Sequence, residues 1–285
     1  DVCSSDLMNP SPADAVALAD ILTWHPLASL AWRSAVEAGT FLHTQRPDHL
    51  PIQTKSTLTD VVTSMDKAAE HLLVERLVGE RPGDGLLGEE GSNRESQTGI
   101  RWVIDPLDGT VNYLYGIPLW GVSVAAEDIR NDRVDLGVII TPETGDGFIG
   151  IRGLGSWRVV GEVGERMNVR SCADLGQALV ATGFSYRSEN RHVQAGVLQR
   201  ILPSVRDIRR TGCAVVDFTW LAQGRSDAFY EKGLNQWDMA AGLLIAEEAG
   251  SVIQSRGEGE DRLVWAVVPD IAEAFATRLV AATGA

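Results

Sequence analysis

The sequence predicts an α/β protein built in two parts, an α+β first half followed by an α/β second half. Three observations predict it. Two segments near the start carry apolar residues at helical spacing, a group of short β-rich segments fills residues 101 to 151, and strand and helix patterns alternate from about Gly161 onward. The first helix runs from Pro26 to Thr44. The second runs from Met65 to Val78, with Ala68, Ala69, Leu72, Leu73 and Leu77 on one face. Between them, Thr59 to Thr63 is short and β-branched. Arg101 to Ile104, Trp120 to Ala126, Val134 to Thr141 and Gly147 to Ile151 read as strands of a mostly antiparallel sheet. The second half then gives strands at Ala178 to Thr182, Val205 to Arg209 and Ala228 to Tyr230. Helices at His192 to Pro203 and Val215 to Gln223 separate them, and a helix near Asp238 and strands near Val252 and Leu263 to Val267 follow. Residues 8–160 and 161–285 are expected as the two halves, and Asp1 to Leu7 read as a non-native extension before Met8.

At 285 residues and 44% apolar composition, the chain is long enough for a large core. A formal net charge of −14 works against non-specific nucleic-acid binding and against anionic membranes. Cys3, Cys172 and Cys213 are too few for a disulfide framework and read as buried thiols, which favours a reducing, cytoplasmic setting. The most apolar N-terminal stretch is interrupted by Asp20, His25, Pro26, Arg33 and Glu37, so it is neither a membrane span nor a secretion signal.

Chemistry concentrates in Trp102-Val103-Ile104-Asp105-Pro106-Leu107-Asp108-Gly109-Thr110. A buried strand is expected to end at Pro106, which has no N–H to donate, and so to free nearby carbonyls such as that of Leu107. Asp105 and Asp108 supply hard anionic oxygens of the kind Mg²⁺ prefers, and Gly109 permits close approach of a phosphate. Asp-Pro and Asp-Gly also mark ordinary turns. Two other clusters stand in the same position: Gly88-Glu89-Glu90-Gly91 after Leu86-Leu87 could be a solvated loop, and Asp238 in Trp237-Asp238-Met239 could be a simple helix N-cap.

Taken together and in order, these segments resemble the inositol monophosphatase family of metal-dependent, lithium-sensitive phosphatases, from about Thr54 to Ser251. The resemblance rests on Lys55-Ser56, Thr59-Asp60, Thr63-Ser64-Met65-Asp66, Gly88-Glu89-Glu90, Asp105 through Thr110, Arg209-Arg210-Thr211-Gly212, Tyr230-Glu231 and Trp237-Asp238. It implies a layered α-β-α-β-α sandwich with the site where the halves meet, and a homodimer. It also implies two to three Mg²⁺ held by Glu89, Asp105, the Leu107 carbonyl, Asp108 and Asp238. Glu89, Asp66 and Thr110 are then the catalytic residues, the last two orienting and deprotonating the attacking water. Lys55, Gly109, Thr110, Ser185, Ala214, Glu231 and Asp238 become the phosphate and substrate contacts. The all-oxygen ligand set favours Mg²⁺ over Zn²⁺.

The implied substrate is a small phosphorylated polyol, inositol monophosphate first. Histidinol phosphate and fructose 1,6-bisphosphate are alternatives with the same chemistry. A non-enzymatic alternative is a binding partner of the transcription machinery, as for some family members. Other phosphatase chemistries do not fit. Two residues separate Asp105 from Asp108, which is not the Asp-x-Asp of a phosphorylated aspartate enzyme. Positions 178 and 219, where a Cys followed by five residues and Arg would place the arginine after Cys172 and Cys213, are Ala and Thr, and Arg191-His192 is followed by Val193 rather than glycine.

Overall fold

The computed structural model describes residues 15–47, 52–54 and 61–283. The expectations for Asp1 to Leu7, for Cys3, for Lys55 and for the start of the strand at Thr59 lie outside them. The first half gives, in chain order, β1 (Ala15–Ala17), α1 (Leu18–Ile21), α2 (Ala28–Thr44), β2 (Ile52–Thr54), β3 (Val61–Thr63), α3 (Ser64–Glu80), β4 (Gly85–Gly88), β5 (Asn93–Arg94), β6 (Ile100–Asp108), α4 (Thr110–Tyr115), β7 (Gly121–Asp128), β8 (Arg133–Thr141), β9 (Asp146–Ile151), β10 (Gly155–Val160) and β11 (Val163–Arg166). The second gives β12 (Leu179–Thr182), α5 (Ser188–Ile201), β13 (Asp207–Arg209), α6 (Ala214–Ala222), β14 (Ala228–Lys232), α7 (Gln236–Glu248), β15 (Val252–Arg256), β16 (Leu263–Val267) and α8 (Ala272–Thr283).

A nine-stranded sheet follows the order β1-β11-β10-β9-β8-β7-β6-β4-β5, antiparallel except where β4 runs parallel to β6. A five-stranded sheet follows β13-β12-β14-β16-β15, with β12 parallel to both its neighbours. Both faces of the large sheet are covered. Along β6, Trp102 and Ile104 enter the core beneath α2 and α3, whereas Val103 faces the core beneath α6 and α7. A strand buried on both faces reads as a continuous apolar run, which is what residues 102 to 104 show. On the smaller sheet, Val197 and Ile201 of α5 and Phe275 and Leu279 of α8 share a core with Val180, Phe229 and Trp265. The result is the layered α-β-α-β-α sandwich. Among the described residues no helix is long and apolar enough to cross a membrane.

Three expectations are corrected. Pro106 does not end its strand: β6 pairs with β7 as far as Asp105 opposite Ser123 and again at Asp108 opposite Gly121. Pro106 and Leu107 thus face the single residue Val122 in a bulge, a place where a missing N–H costs no ladder bond. Asp238 is not an N-cap, because α7 starts two residues earlier at Gln236 with Asn235 as its cap. The turn at Gly161 lies inside the β10–β11 hairpin, so the chain leaves the first sheet only after Arg166 rather than at residue 160. These two short strands were not expected because polar residues interrupt them at Arg158, Glu165 and Arg166.

The second half is pressed onto the first by α7. A side chain at Gly137 of β8 would come within 2.8 Å of the Ala241 carbonyl, and one at Gly150 of β9 within 3.0 Å of Ile245 Cα. Only glycine lets this helix lie so close to the sheet. Its N-terminal turn, with Asp238, is thereby set beside the end of β6.

Candidate active site

Each carboxylate is delivered by the end of a regular element. Asp105 lies at the edge of the bulge in β6, 1% exposed, and accepts the Leu107 N–H at 2.9 Å. That bond folds the Pro106-Leu107 segment back and leaves the Leu107 carbonyl turned toward Thr110, whose hydroxyl lies 3.1 Å from it. Asp108 accepts the Val215 N–H from the start of α6 at 2.7 Å, and Cys213 Sγ lies 3.4 Å from the same oxygen. Asp238 closes the first turn of α7 by accepting the Asn235 N–H at 2.6 Å. Glu89 follows β4 directly.

Glu70 of α3 holds the Glu89 turn. It is 3% exposed, and its two oxygens accept the N–H groups of Glu90 at 2.7 Å and Ser92 at 2.9 Å. A side chain at Gly88 would overlap that carboxylate, at 2.5 Å. Sequence reasoning missed Glu70, since one acid on a helix bearing Asp66, Glu75 and Glu80 gives no signal of burial.

Behind the carboxylates, Asp66 and Thr110 form the expected pair. Thr110 Oγ1 donates to Asp66 Oδ1 at 2.9 Å, while Asp66 Oδ2 accepts from the Thr63 backbone N–H at 2.9 Å and from Thr63 Oγ1 at 2.5 Å. Asp66 therefore also caps α3, the third-residue role of a capping box. Gly109 precedes Thr110 in the left-handed region at φ 87°, which suits glycine, and aims the short helix α4 away from β6.

A single cavity of about 290 Å³ gathers Glu89, Asp105, Leu107, Asp108, Gly109, Thr110, Ser185, Ala214, Glu231 and Asp238. These are all the expected site residues except Asp66, which stands behind Thr110, and Lys55, which lies outside the described residues. The cavity adds residues the sequence reading did not single out as contacts, among them Tyr186, Arg210, Cys213 and Asp217. Asp217 was legible in principle as the one acid in the apolar run Ala214 to Ala222. It is 1% exposed, and one of its carboxylate oxygens has no hydrogen-bond partner.

So many acids in one cavity repel one another. Burial, and then the charges of Glu89, Asp108 and Asp238, push the Asp105 carboxyl well above the ordinary carboxylate range. Burial pushes Asp108 up to about 6 against the opposing hydrogen bonds from Val215 and Cys213. Asp238 is raised by burial and then by Glu89 and Asp108; Glu231 by burial and then by Asp217, Asp238 and Asp108. Among the described residues no three acidic, histidine or cysteine side chains close on one point. The acids surround a shared space instead, and hard oxygen donors with uncompensated repulsion fit hard divalent cations. Cys172 and Cys213 are buried free thiols, as expected, and burial raises both.

The arrangement has close counterparts. A profile of the inositol monophosphatase family matches residues 23–283. An inositol-1-monophosphatase of Mycobacterium leprae is 39% identical over 276 residues, covering 89% of this chain and 93% of the relative. A protein named Nus factor SuhB from Xylella fastidiosa is 37% identical over 231 residues, covering 80% of this chain and 81% of its own. The crystal structure of the extragenic suppressor protein suhB of Bartonella henselae superposes with a TM-score of 0.80 at 30% identity, over 90% of this chain and 98% of that one. With its sandwich fold and its ring of carboxylates at the meeting of the two halves, the chain belongs to the inositol monophosphatase family, a family of phosphatases.

Proposed function

We propose that the chain is a Mg²⁺-dependent phosphatase that hydrolyses inositol monophosphate, or a closely similar polyol phosphate, to the free polyol and phosphate. The observation that carries this reading is the Thr110–Asp66 hydrogen bond of 2.9 Å set directly behind the carboxylates of the cavity. Glu89, Asp105, Asp108, Asp238 and the Leu107 carbonyl would hold two to three Mg²⁺. When bound, these cations neutralise the phosphate dianion, activate a water and stabilise the departing oxygen.

The protein's own groups manage the proton. Thr110 Oγ1 has one hydrogen, and donating it to Asp66 leaves lone pairs facing the cavity that accept a hydrogen bond from the attacking water. As the water's oxygen bonds to phosphorus, its proton passes to Thr110 while the Thr110 proton passes to Asp66 Oδ1. The ester P–O bond breaks on the opposite side, and the leaving oxygen takes a proton from a solvent water to become the polyol hydroxyl, the hydroxide so formed being neutralised by the proton held on Asp66. Asp66 is suited to the acceptor role because Thr63 fixes its other oxygen. Glu231, Ser185 and Ala214 line the wall where the polyol would lie.

The test is phosphate release from inositol 1-phosphate and histidinol phosphate by the full chain, with Mg²⁺, with chelator, and with Asp108→Asn. Faster Mg²⁺-dependent turnover of inositol phosphate, lost in the variant, is the expected result; faster histidinol phosphate turnover would reassign the substrate. A second reading, a role with the transcription machinery, is supported by the printed name of the Xylella fastidiosa relative. It becomes the main one if neither substrate is hydrolysed.

A further inference from the structure

Two adjacent arginines stand where β13 ends, Arg209 as its last residue and Arg210 just beyond it at the cavity, and they are used differently. Arg209 turns back onto its own strand, its Nη1 2.6 Å from Asp207 Oδ2 and 2.8 Å from the Ile208 carbonyl. Arg210 lines the cavity and has no carboxylate within ion-pair distance among the described residues. Among the described residues the other cation on the wall, Lys232, is engaged with Asp261 at 2.7 Å. Arg210 is thus the guanidinium that keeps its donors for something else.

Its place is built. A Cβ on Gly212 would sit 2.6 Å from Arg210 Nη1, so the guanidinium lies across bare backbone where any other residue would displace it. Gly212 adopts φ 89°, a left-handed conformation that also favours glycine. The loop beneath is tied to the end of β6 and to α4: Asn112 Nδ2 donates to the Thr211 carbonyl at 2.9 Å, and the Val215 N–H reaches Asp108 at 2.7 Å. The base of Arg210 is therefore fixed relative to the carboxylate ring while its head is open to water.

We infer that Arg210 is a specificity-determining residue, donating to a hydroxyl of the leaving group beside the ester while Glu231 accepts from another. This rests on the phosphatase reading above and adds the residue that selects a neutral polyhydroxyl leaving group. Two acids, Asp217 and Glu231, stand near enough for the guanidinium to oppose their mutual repulsion. One cation sharing the cavity with two acids suits donors and acceptors on a hydroxylated ring and disfavours a second phosphate.

The test is steady-state kinetics of Arg210→Ala and Arg210→Lys in the full chain with Mg²⁺. The substrates are inositol 1-phosphate, cyclohexyl phosphate as the same ring without hydroxyls, and inositol 1,4-bisphosphate; inhibition constants replace kcat/KM where turnover is too slow. Arg210 is exposed, so the variants keep the fold, and unchanged melting temperatures would document it. Arg210→Ala is expected to lower kcat/KM for inositol 1-phosphate about ten- to hundredfold, chiefly through KM, the scale of a hydrogen bond to a charged group. The loss on cyclohexyl phosphate should be at least about fivefold smaller, and Arg210→Lys intermediate, because it keeps the charge and loses the fork. Equal losses on both rings would place Arg210 on the phosphoryl group and overturn the inference. So would no loss at all, or a loss greatest on the bisphosphate. If the wild-type chain hydrolyses none of the three, the phosphatase reading itself falls; if it hydrolyses them and the variant ratio is unchanged, only Arg210 is wrongly placed.

Discussion

The cavity has two walls made in contrasting ways. On one, Asp105, Thr110 and Asp66 are buried and nearly every oxygen is already engaged, to Leu107, Thr63 or one another. On the other, Phe184, Ser185, Tyr186, Arg210 and Glu231 come from loops and strand ends, and two of them, Tyr186 and Arg210, are exposed. The first wall holds groups whose relative positions decide a reaction, and internal hydrogen bonds hold them still. The second presents long side chains to water, where exchange of one residue alters what is bound without disturbing how it is cleaved. Fixing the chemistry and leaving recognition open lets one fold serve several phosphate esters.

The contrast is broken most severely on the buried wall. Asp105→Asn should lower kcat/KM for inositol 1-phosphate by about a thousandfold, several kcal/mol of lost transition-state stabilisation, measured by phosphate release. The same variant should melt at a higher temperature than wild type in chelator, since it removes one of four mutually repelling acids. Loss of activity with loss of stability would mean that Asp105 serves mainly to hold the bulge.

Glu70→Gln tests whether that wall depends on supports outside the cavity. The amide keeps one acceptor and turns a donor toward a backbone N–H, so the Glu89 turn loosens. The Mg²⁺ concentration for half-maximal activity should rise about ten- to hundredfold, with a smaller change in kcat at saturating metal. An unchanged metal dependence would show that Glu70 does not position Glu89.

The smallest effect is one of pH. Asp108 has its carboxyl raised from the ordinary range to about 6 in the folded chain. Between pH 4 and 6 the folded state therefore binds more protons than the unfolded state, and stability falls as pH rises through that window. In chelator the melting temperature should drop by about 5 °C from pH 4.5 to pH 7, and saturating Mg²⁺ at pH 7 should recover it. A metal-free protein most stable at neutral pH would contradict this account of the acid cluster.

How much of this was legible in the sequence follows the same division. The buried wall was readable because its chemistry is packed into short segments: Asp105 to Thr110 brings two acids, a carbonyl, a glycine and a hydroxyl within six residues. Glu231 and Asp238 were found through their motifs as well. Glu70 was not, because its role depends on a turn twenty residues away. Arg210 was quoted beside Arg209 with nothing to tell them apart, and only the backbone at Gly212 and the register of β13 separate the one that pairs with Asp207 from the one that does not. The strand boundary at Pro106 failed for a related reason, since a proline ends a regular ladder but is admitted at a bulge, and a bulge is a property of two strands.

The contact of α7 with Gly137 and Gly150 has a consequence for traffic through the site. Asp238 rides on this helix, and the helix rests backbone against backbone on the sheet that carries Asp105 and Asp108. Ala240, Ala241, Ile245 and Ala249 are buried in the same seam. A clamshell opening would have to peel that seam apart, so the two halves do not swing as jaws. On the phosphatase reading, the way in and out that needs no such opening is over the rim, past the exposed Tyr186 and Arg210.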